Sequence, residues 1–282
     1  MSQTLAPEDL AALARAAAAG DQVAAKAVLG AVQDDVYELA LRMLGHPADA
    51  EDAAQEILII VLTHLGSFRA ESSLSTWVWR IAVNHLARVR RGRREVVTFE
   101  LLGERLRGGL RAGDDDSSDP EADALTHELR LRCTEAMLLS LDRDLRVAYI
   151  LGDILQLSGA DAADVLELDE AAYRKRLSRA RSRLYEFLRH WCGVFRPENP
   201  CRCRGQFACA VERGLLARQD LDFSRQQTRP SRVRLARAAD ELSNLFEVAQ
   251  VMHGPVSYAA PASLVTSLQG LLDSNRLALL QP

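Results

Sequence analysis

Aromatic residues make up only 5% of the 282 residues, and the alternation of β-branched residues that marks strands is nearly absent. A sheet-built fold is therefore disfavoured. Alanine, leucine, arginine and glutamate dominate instead, which points to an all-α protein. Long apolar runs are also missing. The longest, ILIIVL from Ile57 to Leu62, is too short to span a bilayer, so no membrane association is expected. The opening residues MSQTLAPEDL lack a basic segment followed by an apolar one, so no secretory signal is expected and the chain is expected to be cytoplasmic. Its five cysteines are then expected to be thiols or metal ligands rather than a disulfide framework. Catalytic motifs are missing too. There is no nucleophile elbow, no phosphate-cradling glycine loop and no zincin histidine pair, and the chain reads as a non-enzyme.

What is present begins with core-forming capacity. Hydrophobic residues make up 48% of the chain, which excludes wholesale disorder. The formal net charge of -4 does not announce a nucleic-acid binder, but the basic residues are clustered, and the cluster is what a polyanion meets. The first cluster ends the segment STWVWRIAVNHLARVRRGRR, Ser75 to Arg94. At helical spacing Leu74, Val78, Ile81, Ala82, His85 and Val89 form an apolar stripe, while Arg80, Asn84, Arg88 and Arg91 form a polar, basic one. No acidic residue interrupts the run from Arg88 to Arg94. A merely solvated face would interleave glutamates as partners, whereas an unpaired basic comb beside aromatics suits a strand of phosphates and flat bases.

Along the chain, residues from Pro7 to about Arg94 read as consecutive helices broken at Gly20-Asp21 and at Gly45-His46-Pro47. From Glu95 to Glu128 the pattern dissolves around GDDDSSDPEAD, Gly113 to Asp123, the composition of a flexible linker. Periodicity returns at about Leu125 and runs to Trp191. Its second half, LSGADAADVLELDEAAYRKRLSRARSRLYEFL, reads as a short helix, a tight connection and a basic helix carrying Arg174, Lys175, Arg176, Arg179, Arg181 and Arg183, with Tyr173, Leu177, Ala180 and Leu184 as its apolar face. That is the pattern of a helix-turn-helix.

The run DAEDAAQEILIIVLTHLGSFRAESSLSTWVWRIAVNHLARVRR resembles region 2 of bacterial RNA polymerase sigma factors, and EAAYRKRLSRARSRL resembles their region 4 recognition helix. With no large middle domain, the chain resembles the extracytoplasmic-function (ECF) group. The resemblance implies a region 2 domain over 1–95, a flexible acidic linker over 96–127, a region 4 helix-turn-helix domain over 128–191, and, beyond the resemblance, a cysteine loop and helical extension over 192–282. It implies core RNA polymerase and promoter DNA as partners. Asp52, Gln55 and Glu56 fall where the family docks on the polymerase. Phe68, Ser73, Trp77, Arg80, Asn84, Arg88 and Arg91 fall where it meets the -10 element, although a large aromatic such as Trp77 on a helix is more often a core residue. Tyr173, Arg174, Lys175, Arg176 and Arg179 fall where it meets the -35 element. Where the family usually carries a glycine in the turn, this chain has Glu167. A stand-alone helix-turn-helix regulator and a thiol- or metal-sensing regulator are the alternatives. The Asp52, Gln55 and Glu56 patch separates the first of these, because a simple repressor has no use for it.

Cys192, Cys201, Cys203 and Cys209 lie within eighteen residues as C-x8-C-x-C-x5-C. Four thiolates so close are a candidate Zn2+ site, with His190 as a substitute ligand; free thiols or a redox switch are the other readings. Further on, Leu235, Ala238, Leu242, Leu245, Phe246, Ala249 and Met252 recur at helical spacing and need a surface to pack on, either the chain's own domains or a partner. The extension is accordingly expected to regulate, by self-inhibition or together with an anti-sigma factor.

Overall fold

The computed structural model describes residues 7–89, 97–110, 120–212, 223–226, 228–230, 248, 251–252 and 256–274. Four helices form the first module: α1 (Pro7–Ala18), α2 (Gln22–Leu44), α3 (Pro47–His64) and α4 (Leu74–Arg88). Each break read from the sequence has a physical basis. Asp21 caps α2, accepting from the backbone N–H of Val23 at 2.8 Å and of Ala24 at 3.1 Å. Gly45 ends that helix in the left-handed region at φ 68°, and a Cβ there would meet Leu139 at 2.4 Å, so both backbone and space require glycine. Pro47 then opens α3 in the first helical turn. Val28, Val36, Leu39 and Leu41 of α2 are fully buried against Ile57, Leu58 and Val61 of α3.

The second module contains α6 (Pro120–Ser140), α7 (Arg143–Tyr149), which runs into a π-helical turn (Ile150–Ile154), α8 (Gly159–Val165) and α9 (Glu170–Trp191). Ser158 caps α8 through Asp161 N–H at 3.1 Å, and Asp169 caps α9 through Ala172 N–H at 2.7 Å. Between them Glu167 adopts φ 54°, the conformation a glycine would take without strain.

The modules are joined by buried polar contacts. Arg146, 3% exposed, donates to the carbonyls of Leu138 (2.8 Å), Leu139 (2.9 Å) and Leu141 (2.8 Å) at the end of α6, and to that of Met43 (2.9 Å) at the end of α2. Arg42 of α2 pairs with Glu135 of α6, with Glu38 3.7 Å away on its own helix.

Two expectations differ from the structure. The stretch read as a featureless linker contains α5 (Phe99–Gly109), capped by Thr98, which accepts from Leu101 N–H at 3.2 Å. Only a few apolar positions, such as Leu102 and Leu106, carry its inner face, which makes its periodicity hard to see among glycines and arginines. Helix α6 likewise starts inside that stretch, at Pro120. The extension, expected to be helical, also contains an antiparallel pair of short strands, β1 (Thr228–Pro230) and β2 (Val256–Tyr258), besides α10 (Cys203–Glu212) and α11 (Ala262–Asp273). Of the periodic segment from Leu235 to Met252, all but Val248, Val251 and Met252 lies outside the described residues, and those three are buried.

Candidate nucleic-acid interface

Helix α4 is set by Ser73, whose Oγ accepts from Thr76 N–H at 3.0 Å. That fixes the register of everything after it. Leu74, Val78, Trp79, Ala82 and Leu86 face the core. Trp79 is 4% exposed and belongs to the interior. Trp77 is half-buried, its ring 5.6 Å from that of Phe68 at an interplanar angle of 55°. This aromatic pair lies at the mouth of the loop before α4, beside the exposed cap Ser73. Asn84 and Arg88 are exposed on the outer face, and Arg91 lies outside the described residues.

Arg80 is not a free cation. It pairs with the carboxylate of Asp164 in α8, and its Nε donates to the Asp164 carbonyl at 3.3 Å. Arg143 of α7 donates to the carbonyl of Ala87, and to that of Val89 at 3.1 Å, closing off the end of α4. Asn84, Val83 and Ala87 therefore share one cleft of about 180 Å³ with Asp144, Glu167 and Arg176 of the second module. The two faces read as DNA-binding meet one another across it.

On α9 the basic residues separate into three kinds. Arg174, Lys175 and Arg179 are exposed, with the Arg174 side chain 67% accessible and 3.6 Å from Glu170. Arg176 is half-covered and 3.5 Å from Asp144. Arg181 grips Asp153 at 2.9 and 2.5 Å, and that hydrogen-bonded carboxylate holds its guanidinium charged. It is a strut between α9 and the π-helical turn, not a DNA contact. Tyr173 needs correction. It is 1% exposed, and its hydroxyl donates to the Ala148 carbonyl at 3.3 Å. It belongs to the core at helical spacing with Leu177, Ala180 and Leu184, and from there it reaches no ligand.

On α3, Asp52 and Glu56 are exposed and Gln55 is half-buried. Glu56 lies 3.2 Å from His85 Nε2 on α4, so the acidic patch adjoins the helix that carries the basic face. Asp144, Asp164, Arg143 and Arg146 did not emerge from sequence reasoning. The signal for Arg146 was a lone cation inside the apolar run LRVAYIL.

Cys133 of α6, Cys201, Cys203 and Cys209 line a mainly apolar cavity of about 210 Å³, and Cys192 and Cys201 face one another across an isolated backbone bridge. Among the described residues no three His, Cys, Asp or Glu side chains are disposed to hold a metal ion. His190 instead packs edge-on against Trp191.

An acidic patch, a loop carrying an aromatic pair, a basic helix and a helix-turn-helix follow one another in this order. The profile for Sigma-70 region 2 matches residues 29–95, and that for Sigma-70, region 4, matches residues 131–184. The chain is 30% identical over 175 residues to the ECF RNA polymerase sigma factor SigW of Bacillus subtilis, covering 60% of this chain and 91% of that one. It is 34% identical over 169 residues to the RNA polymerase sigma-H factor of Pseudomonas aeruginosa, covering 57% and 84%. Among solved structures, CnrH in complex with the cytosolic domain of CnrY is similar with a TM-score of 0.46 at 25% identity, over 64% of this chain and 96% of that one. The chain belongs to the ECF family of RNA polymerase sigma factors. No described helix is long and apolar enough to cross a membrane.

Proposed function

We propose that this sigma factor binds core RNA polymerase through Asp52, Gln55 and Glu56 and directs initiation through two DNA faces. The α4 face takes the -10 element: Phe68, Ser73 and Trp77 receive a base that leaves the stack, while Asn84, Arg88 and, once parted from Asp164, Arg80 hold the backbone. The α9 face takes the -35 element through Arg174, Lys175 and Arg179, with Arg176 joining when it leaves Asp144. The protein acts by binding, not by catalysis. The observation that carries this reading is the segregation on α9. Arg174, Lys175 and Arg179 are exposed, whereas Arg176, Arg181 and Arg183 face Asp144, Asp153 and Asp142 of the α7 segment.

The test is run-off transcription with purified core polymerase on a promoter library. The parent should initiate from a defined subset. Gln55→Lys with Glu56→Lys should lose core binding while retaining helicity. Unchanged core affinity in that variant would remove the docking assignment.

A further inference from the structure

The extension touches both modules at once. Toward the first, α11 lays Leu264, Leu268 and Leu272 against α2 and α3, each no more than 1% exposed. Ser263 Oγ donates to Glu51 of α3 at 2.5 Å, Lys26 of α2 pairs with Asp273 at 2.5 Å, and Ala260 N–H donates to Asp34 at 3.0 Å. Toward the second, the carboxylate of Glu128 on α6, 0% exposed, accepts from Ser224 N–H at 2.7 Å, Ser224 Oγ at 2.8 Å and Phe223 N–H at 3.1 Å. At the centre, the Arg42 guanidinium that joins α2 to α6 lies 4.7 Å from the ring centroid of Tyr258 on β2, so the extension roofs the inter-module ion pair.

We propose that the C-terminal extension is an intramolecular strap that holds the two DNA-binding modules closed on each other, with the α4 face turned onto α8. The joint mixes apolar packing, with Leu139 of α6 seated on Gly45, and ionic contacts, Arg42 with Glu135 and Arg80 with Asp164, which regain water when parted. Both sets of contacts, to α2–α3 and to α6, come from one covalent segment, so closing one raises the effective concentration of the other. The closed form withholds Arg80, which is paired with Asp164 across the modules, and turns Asn84 and Arg176 into one cleft. What is hidden is DNA-binding surface only on the function proposed above, but the strap itself is a statement about geometry.

The full chain, carrying donor and acceptor dyes at exposed Glu71 and Ser182, tests it by energy transfer, together with the affinity of the free protein for a random-sequence DNA duplex at low salt. Tyr258→Ala with Glu128→Gln should reduce transfer. It should also raise DNA affinity by about tenfold if the closed form holds about nine molecules in ten. Lys26→Glu with Ser263→Ala touches only the surface side of the strap and should shift both readouts the same way by less; it decides the matter if the first variant loses helicity. Parental transfer in a folded variant would overturn the strap. Reduced transfer with unchanged DNA affinity would overturn its occluding role. Neither readout involves polymerase, so a failed run-off assay leaves this result distinct.

Discussion

Arg146 shows an arginine used as part of the core rather than as a surface cation. Four backbone carbonyls converge on its guanidinium from α2 and the α6–α7 connection. Arg146→Met keeps the volume but leaves those acceptors facing hydrocarbon, and should cost about 3–5 kcal/mol, read as a lower denaturant midpoint at unchanged slope. Cys201 is a second case in which surroundings overrule residue type. Burial, followed by the neighbouring thiols of Cys203 and Cys192, pushes its thiol up to about 12. Held as the thiol at pH 8, Cys201 should be alkylated by iodoacetamide much more slowly than an ordinary thiol, with the protection lost in denaturant. A rate like that of a small thiol would place Cys201 outside the packed loop. Neither property can be read from the sequence, because both depend on what faces the side chain across the fold. Tyr173 could be placed on the buried face by its spacing from Leu177, Ala180 and Leu184, and its burial follows that periodicity rather than the DNA role suggested by family position.

Elements with strong local signals were legible in advance. The breaks at Gly20-Asp21 and Gly45-His46-Pro47 and the connection at Asp169 lie where their chemistry places them, whereas the cap Ser73 of α4 was not read. Helix α5 was not legible, since its inner face is carried by few apolar residues in a glycine- and arginine-rich stretch, and neither were β1 and β2, whose three-residue strands are stabilised by register with each other rather than by pattern. The turn of the helix-turn-helix offers a test at this scale. Glu167 sits at φ 54°, and a left-handed non-glycine residue costs about 1–2 kcal/mol. Glycine removes that strain but loosens the unfolded chain, so Glu167→Gly should stabilise by about 0.5–1 kcal/mol and leave the exposure of Arg174 and Arg179 unchanged. Destabilisation on thermal unfolding would mean that the Glu167 side chain holds the turn through contacts of its own.

At the scale of the whole molecule, the sequence separated two DNA-facing surfaces but could not show that they face each other, because nothing in either basic block encodes its distance from Asp144 or Asp164. That arrangement makes the two ends of one ion pair behave oppositely. Arg80 and Asp164 are both partly exposed, with side chains 35% and 46% accessible, so their pair contributes about 0–1 kcal/mol to closure. Asp164→Asn leaves Arg80 in place without its partner carboxylate. The free protein should bind a DNA duplex up to about fivefold more tightly, since 1 kcal/mol is worth that much in an equilibrium. Arg80→Ala removes the same pair but also deletes the phosphate contact proposed for it, so its affinity should fall and the salt dependence should weaken by about one ion. Measured as binding isotherms over a salt series, the two variants should lie on opposite sides of the parent. If both weaken binding alike, Asp164 supports the DNA face rather than masking it, and the contact between α4 and α8 belongs to the DNA-bound form as well.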